Sequence, residues 1–99
     1  MRIELARSGG LAGLTMAVSV DTDSLAPETA GVLDTALRDA DLAELAARRH
    51  SPARGADRYQ YDITVERDGQ RHSISFPESD VPPELQPVID TLVPMTSPR

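Results

Sequence analysis

The sequence predicts a single α+β domain with the element order ββαββα, in which a four-stranded antiparallel sheet has its helices packed on one face. Two pairs of alternating apolar and polar segments are each joined by a glycine-containing connector, as in β-hairpins. Each pair is followed by a segment with apolar residues at helical spacing, which favours helices beside an antiparallel sheet. The length of 99 residues suits one domain, and 39% apolar with 26% charged residues is an ordinary globular composition.

The first hairpin occupies the start of the chain. Ile3 and Leu5 alternate with charged or small residues and predict a half-buried strand. Residues 14–20 alternate in the same way and predict the second strand. Glycines lie between the two strands, so residues 8–13 are predicted to form an irregular hairpin tip.

The first helix is predicted after an acidic turn. Pro27 and Glu28 suit a first helical turn, because proline is tolerated there and an acid complements the helix dipole; the start could also lie at Ser24. Leu33 and Leu37 then keep helical spacing, with small residues and Val32 widening the apolar stripe. Residues 41–45 either continue this helix or form a separate short turn after a bend.

The second half repeats the pattern. Residues 48–56 form a loop, residues 59–65 give the clearest strand, and residues 72–76 return after the tight-turn signal Asp68-Gly69. A second loop over residues 77–83 precedes a short amphipathic helix over residues 84–93. The folded domain is predicted to span residues 1–94, and residues 95–99 to form a flexible tail.

This element order places three irregular segments at one end of the sheet. A first helix of about twenty residues would span roughly 30 Å and return the chain to the end where strand one finishes. The hairpin tip and the loops over residues 48–56 and 77–83 then converge on one rim. Loops on a rigid scaffold are common binding surfaces.

Composition excludes several classes of function. The chain has no cysteine and two histidines, which excludes disulfides and thiolate metal sites and disfavours a multi-histidine zinc site. A net charge of −6 argues against nucleic acid as a partner. No apolar run is long enough to cross a membrane, and the charged, alternating start does not resemble a secretory signal. We therefore expect a cytoplasmic protein without a membrane partner.

No motif predicts catalysis or a cofactor. The glycines at the tip precede a strand rather than a helix, and the chain has no lysine, so a phosphate loop is disfavoured. His72 alternates with Ile74 and is interpreted as a half-buried histidine near the edge of the apolar face. Asp21 and Asp23 lack the glycine and distal glutamate of a calcium loop. No catalytic residue, metal site or cofactor is predicted, and the protein is not expected to be an enzyme.

The residues around the third strand allow two interpretations. Tyr59 and Tyr61 point the same way on a strand and begin at the predicted rim. They either pack in the core with their hydroxyl groups reaching solvent or contact a partner. Asp57 either closes a turn, or pairs with Arg7 across the rim, or offers a carboxylate to a partner's cation or metal.

Two segments resemble the emfourin family. They read RSGGLAG over residues 7–13 and ADRYQY over residues 56–61. The resemblance runs from Ile3 to about Leu92 and includes the acidic approach to the first helix and the C-terminal leucine-rich helix. Emfourins are small bacterial proteins whose prototype inhibits protealysin and related thermolysin-like zinc metalloproteases.

The resemblance implies a proteinaceous inhibitor that is a monomer when free and blocks the cleft of a thermolysin-like metalloprotease. Such an inhibitor needs neither a catalytic residue nor a cofactor. A glycine-rich tip can approach a partner closely, and a bulky residue at Gly10 should weaken inhibition without disturbing the fold. The candidate protease-binding residues are Arg7, Ser8, Gly9, Gly10, Leu11, Ala12, Gly13, Asp57, Arg58 and Tyr59.

The main alternative is a binding module or assembly subunit without inhibitory activity, docking by the sheet face that the helices leave open. The residues predicted on that face are small or polar, which disfavours a large apolar interface there. They are Thr15, Ala17, Ser19, Gln60, Asp62, Thr64, Ser73 and Ser75.

Overall fold

The computed structural model describes residues 1–10, 13–48 and 59–99. Within them the strands are β1 (Arg2–Gly9), β2 (Met16–Asp21), β3 (Tyr59–Arg67), β4 (Gln70–Pro77) and β5 (Ser97–Pro98). The helices are α1 (Pro27–Asp39), α2 (Leu42–Ala47) and α3 (Gln86–Leu92), with short 3₁₀ turns at Thr22–Ser24, Glu78–Asp80, Pro83–Leu85 and Val93–Met95.

The strands form one antiparallel sheet in the order β4-β3-β1-β2-β5. The predicted α+β class and antiparallel sheet are confirmed, but the sheet has five strands rather than four. The fifth is the residue pair Ser97–Pro98, which lies beside Ala17 and Met16. The Arg99 N–H donates to the Thr15 carbonyl oxygen at 2.9 Å and extends this contact. The flexibility of the tail and the domain boundary at residue 94 stay predictions.

Strand register separates the sheet into an apolar and a polar face. Directly opposed residues of an antiparallel pair lie on the same face. Leu5 lies opposite Ile63 on β3 and Val18 on β2, and its side chain is buried beneath the helices. Ala6 lies opposite Asp62 and Ala17 on the other face. The predicted polar, open face is therefore present.

The core lies between the apolar sheet face and the three helices. Phe76 from β4, Leu37 from α1 and Leu92 from α3 are each fully buried there. The buried apolar residues are Ile3, Leu5, Leu33, Leu37, Ala40, Leu42, Leu45, Tyr61, Ile63, Val65, Ile74, Phe76, Leu85, Val88, Ile89 and Leu92.

The turn between β3 and β4 follows the sequence prediction. Asp68 and Gly69 both have positive φ, at 54° and 77°, and Arg67 pairs with Gln70 on either side of them. Two consecutive residues with positive φ match the right-handed twist of the strands they connect. Aspartate and glycine tolerate this conformation better than most residues, which is why the dipeptide specifies the turn.

The first helical segment is two helices rather than one of about twenty residues. α1 has 13 residues and α2 has six. Ala40 between them is extended, with ψ at 141°, and the Asp41 carboxylate accepts a hydrogen bond from the Glu44 N–H at 3.1 Å. This bond caps the start of α2. The alternative of a separate element after a bend is therefore the one the chain adopts.

The end of α1 lies away from the hairpin tip, contrary to the predicted route. Arg67 Nη1 donates to the Leu37 carbonyl oxygen at 3.3 Å, and Arg67 is the last residue of β3 before its turn. α1 therefore ends at the opposite end of the sheet from Gly9 and Gly10. The chain continues through α2, which packs against β4.

Two apolar residues of α1 that the sequence pattern groups together differ in how deeply they are buried. Leu37 is completely buried, whereas Val32 is 46% exposed. Leu37→Ala should lower the free energy of unfolding by about 2–5 kcal/mol, because a cavity replaces the lost apolar contact. Val32→Ala should change it by less than about 0.5 kcal/mol. Urea unfolding followed by circular dichroism measures both, and equal losses would contradict this burial.

Candidate functional site

Three strand ends meet at the end of the sheet where β1 finishes. Gly9 of β1 pairs with Tyr59 at the start of β3, and Gln60 pairs with Pro77 at the end of β4. The hairpin tip therefore lies beside the start of β3, as the sequence analysis predicted. We call the described residues at this end the rim. They are Arg7, Ser8, Gly9, Gly10, Gly13, Leu14 and Tyr59.

Four of the predicted contact residues lie outside the described residues. They are Leu11, Ala12, Asp57 and Arg58. The other six belong to the rim, but they do not share one face. Ser8 pairs with Gln60 on the open face of the sheet, whereas Arg7 and Tyr59 lie on the face that carries the helices.

Arg7 stacks on the ring of Tyr59. Its Cζ atom lies 4.4 Å from the ring centroid, within the range of a cation–π contact. Gly9 is the residue directly opposite Tyr59, and it has no side chain to compete for the space above the ring. The Nε atom of Arg7 is buried and has no hydrogen-bond partner within the described chain. The guanidinium is therefore held by the aromatic ring.

Gly10 packs on the same tyrosine from the tip. A Cβ atom at Gly10 would lie 2.8 Å from Tyr59 Cε1, closer than van der Waals contact allows, and φ of Gly10 is +78°. The Gly13 N–H donates to the Gly10 carbonyl oxygen at 3.2 Å and closes the tip. Tyr59 thus supports both the arginine of β1 and the backbone of the tip.

The exposed side of the rim contains an apolar residue that sequence reasoning missed. Leu14 is 57% exposed and immediately follows Gly13, which has open space around its Cα. The alternation of residues 14–20 had placed Leu14 in the second strand, but β2 begins at Met16. Its position next to the tip glycines was the available signal. Leu14 can supply apolar contact area to a partner at the rim.

Tyr61 has a different role from Tyr59. Its side chain is 8% exposed, and its ring centroid lies 5.7 Å from that of Phe76. Such a tilted aromatic pair stabilises the core between β3 and β4. Of the two interpretations that the sequence left open, core packing applies to Tyr61.

Acidic residues surround the end of α2, just before residues 49–58. The Glu44 carboxylate accepts a 2.7 Å hydrogen bond from Arg48 Nε, and this bond raises the pKa of Arg48 above its usual value. Desolvation acts in the opposite direction, while the negative charge of Glu44 and, to a smaller extent, those of Glu84 and Asp80 add to the rise. Arg48 is therefore a cation at neutral pH.

Neither a metal cluster nor a membrane span is present in the described parts of the chain. No group of three or more histidine, aspartate or glutamate residues there could hold a metal ion. None of the helices described is long and apolar enough to cross a membrane. The described rim instead presents glycine backbone, a leucine and a stacked arginine, which are groups suited to contact with another protein.

Comparison with known families identifies the class of this protein. The emfourin family model matches residues 5–93, which include the whole rim, most of the first hairpin and all of the second. The chain belongs to the emfourin family. No curated protein and no solved structure matches it. Emfourins are an inhibitor family, so membership indicates a protease inhibitor rather than an enzyme, with a protease as its partner.

Substitution of Gly10 should destabilise the fold more than substitution of Gly13, because only Gly10 lies close to Tyr59. Gly10→Ala and Gly13→Ala should each lose about 1–2 kcal/mol of unfolding free energy because of positive φ. Gly10→Ala should lose about 1–3 kcal/mol more through overpacking against the ring. In a Tyr59→Ala background this excess should disappear. Urea unfolding of the set tests this, and an excess that persists without the ring would contradict the contact.

A bulky residue at Gly10 is consequently not a neutral probe of inhibition. The expectation that it would leave the fold intact conflicts with the 2.8 Å approach to Tyr59. Leu14 and Gly13 face open solvent and are better positions for testing the tip.

The stacking of Arg7 on Tyr59 should appear as a coupling energy. In a double-mutant cycle of Arg7→Leu and Tyr59→Leu, the two losses of unfolding free energy should differ from additivity by about 0.5–2 kcal/mol. Added salt should change this coupling little, because it joins a cation to an uncharged ring. Strict additivity would show that the two side chains do not interact.

Proposed function

We propose that this emfourin inhibits a thermolysin-like zinc metalloprotease of the protealysin type by covering its active-site cleft with the rim. The observation that carries the proposal is the family match over residues 5–93, which includes the hairpin tip and the start of β3. The tip and the segment before β3 together make the blocking surface. Leu11, Ala12, Asp57 and Arg58 belong to that surface in this proposal.

The geometry of the rim supports this mode of binding. Gly9, Gly10 and Gly13 have positive φ, and the tip is tied by its own hydrogen bond and by Tyr59. A preorganised segment loses little conformational entropy on docking, so a small surface can bind tightly. Glycine backbone also lets the partner approach closely.

The distribution of apolar surface at the rim supports a central role for Leu14. Interfaces derive most of their binding energy from a few buried side chains. Leu14 is the exposed large apolar residue of the described rim, and burying it fully contributes about 1.5–3 kcal/mol. The stacking of Arg7 on Tyr59 joins β1 to the start of β3 at the rim.

The direct test is titration of thermolysin and of a protealysin-like enzyme with the purified full-length protein, with preincubation time varied. Inhibition that is complete near one-to-one stoichiometry and competes with substrate supports cleft blockade. Binding without inhibition, measured by calorimetry, would instead favour a non-inhibitory binding module. Absence of both would overturn the proposed target class.

Replacing Leu14 tests whether the rim, rather than another part of the surface, makes the inhibitory contact. Leu14→Asp should raise the inhibition constant at least about tenfold, because an apolar contact of about 1.4 kcal/mol or more is lost and a charge is desolvated. Val32→Asp is the matched control, since Val32 is also exposed but lies on α1. Its inhibition constant should equal that of the unaltered protein.

Circular dichroism must show that both variants are folded. Equal weakening by the two substitutions would indicate an effect of added charge rather than a contact at the rim. No weakening by Leu14→Asp would remove this residue from the inhibitory surface.

A further inference from the structure

A groove runs along the outer surface of the helix layer. It has a volume of about 740 Å³ and lies between α1 and the segment that starts α3. Its apolar lining comes from Val32 and Ala36 on one side and from Pro83 and Pro87 on the other. The groove shares no residue with the rim.

The apolar lining is unusually exposed for this protein. Val32 is 46% exposed, and among the described residues only Leu14 and Met95 are other large apolar side chains with comparable exposure. The helical spacing of α1 directs Leu33 and Leu37 into the core, which leaves Val32 and Ala36 on a different side of the helix. The fold therefore leaves Val32 exposed on α1, next to Ala36, which is partly buried against the core.

The residues that line the groove carry only negative charges, and Arg48, whose pKa Glu84 helps to raise, lies outside the lining. Glu28 and Asp39 lie on α1 near its two ends, and Glu84 lies on the opposite wall. No basic residue lines the groove. An occupant with basic residues at its ends would complement these carboxylates, whereas an anionic occupant would be repelled.

The spacing of the acidic residues sets the distance between the basic residues of a bound segment. Asp39 lies eleven positions after Glu28 in α1, which corresponds to about 16 Å along the axis. An extended chain covers this distance in about five residues, at roughly 3.3 Å each. A second copy of this chain is a poor occupant, because each copy carries a net charge of −6.

We propose that this groove binds an extended segment of another protein, with basic residues about five positions apart and apolar residues between them. The apolar side chains contact Val32 and the two prolines, and the basic ends pair with the carboxylates of the groove. Because the groove and the rim are separate, one inhibitor molecule can bind such a segment while its rim is docked. The proposal does not depend on the proposed inhibitory function.

The test uses the full-length, isotopically labelled protein and a capped hexapeptide with lysine at both ends and two leucines between them. Titration followed by amide chemical shifts should give saturable changes confined to α1 and to residues 83–87. A peptide with glutamates in place of the lysines should cause no such changes. Raising the salt concentration from about 50 mM to about 300 mM should weaken binding, since exposed ion pairs are screened.

Two double variants test whether the carboxylates of the groove contribute to peptide binding. Glu28→Gln combined with Asp39→Asn should weaken binding of the lysine peptide roughly fourfold or more at low salt. Glu4→Gln combined with Asp68→Asn removes the same net charge elsewhere, on the open sheet face and in the β3–β4 turn. Asparagine also suits the positive φ of 54° at position 68, so this control keeps the fold and should bind the peptide normally.

Four results would overturn the proposal. They are no shifts up to millimolar peptide, shifts that map to the rim or the open face, equal binding of the glutamate peptide, and equal weakening by the two charge variants. Sedimentation of the free protein provides a further check. Dimers whose interface includes the α1 amides would assign the groove to a second copy instead.

Discussion

β1 lies between β2 and β3 and is hydrogen-bonded along both edges, so its register positions everything around it. Burial requires Ile3 and Leu5 to face the helices, and a shift of one residue would turn both into solvent. This register also sets Gly9 opposite Tyr59. The stacking of Arg7 and the close approach of Gly10 to the tyrosine ring are therefore consequences of how the core is buried.

The rim is thus built from the same strands that make the core. Tyr59 contacts both the guanidinium of Arg7 and the backbone of Gly10. Tyr61, two residues later on the same face, continues into the core beside Phe76. The supporting ring of Tyr59 and the core therefore lie on the same face of β3.

The helices, unlike the rim, pack across the sheet from other parts of the chain. α1 ends near the β3–β4 turn, where Arg67 binds the Leu37 carbonyl oxygen, and α2 packs on β4. This arrangement buries Leu33 and Leu37 but leaves the side of α1 that carries Val32 uncovered, facing Pro83 and Pro87. The two outward surfaces of the molecule, the rim and the acidic groove, therefore differ in chemistry as well as in position.

Local pattern in the sequence was sufficient for the features that depend on neighbouring residues. Period-two alternation predicted the strands, Asp68-Gly69 predicted the turn, and the glycines at 9, 10 and 13 predicted the tip. Each of these features depends on local backbone preferences. The resemblance of the same segments to emfourins implied a protease inhibitor. Long-range packing decided the rest. The exposure of Val32 and Leu14, the fifth strand at Ser97–Pro98 and the dependence of Gly10 on Tyr59 follow from how distant parts of the chain pack, which periodicity does not encode. The bend at Ala40 is different, because the cap that starts α2 at Asp41 is local but the apolar spacing left it open.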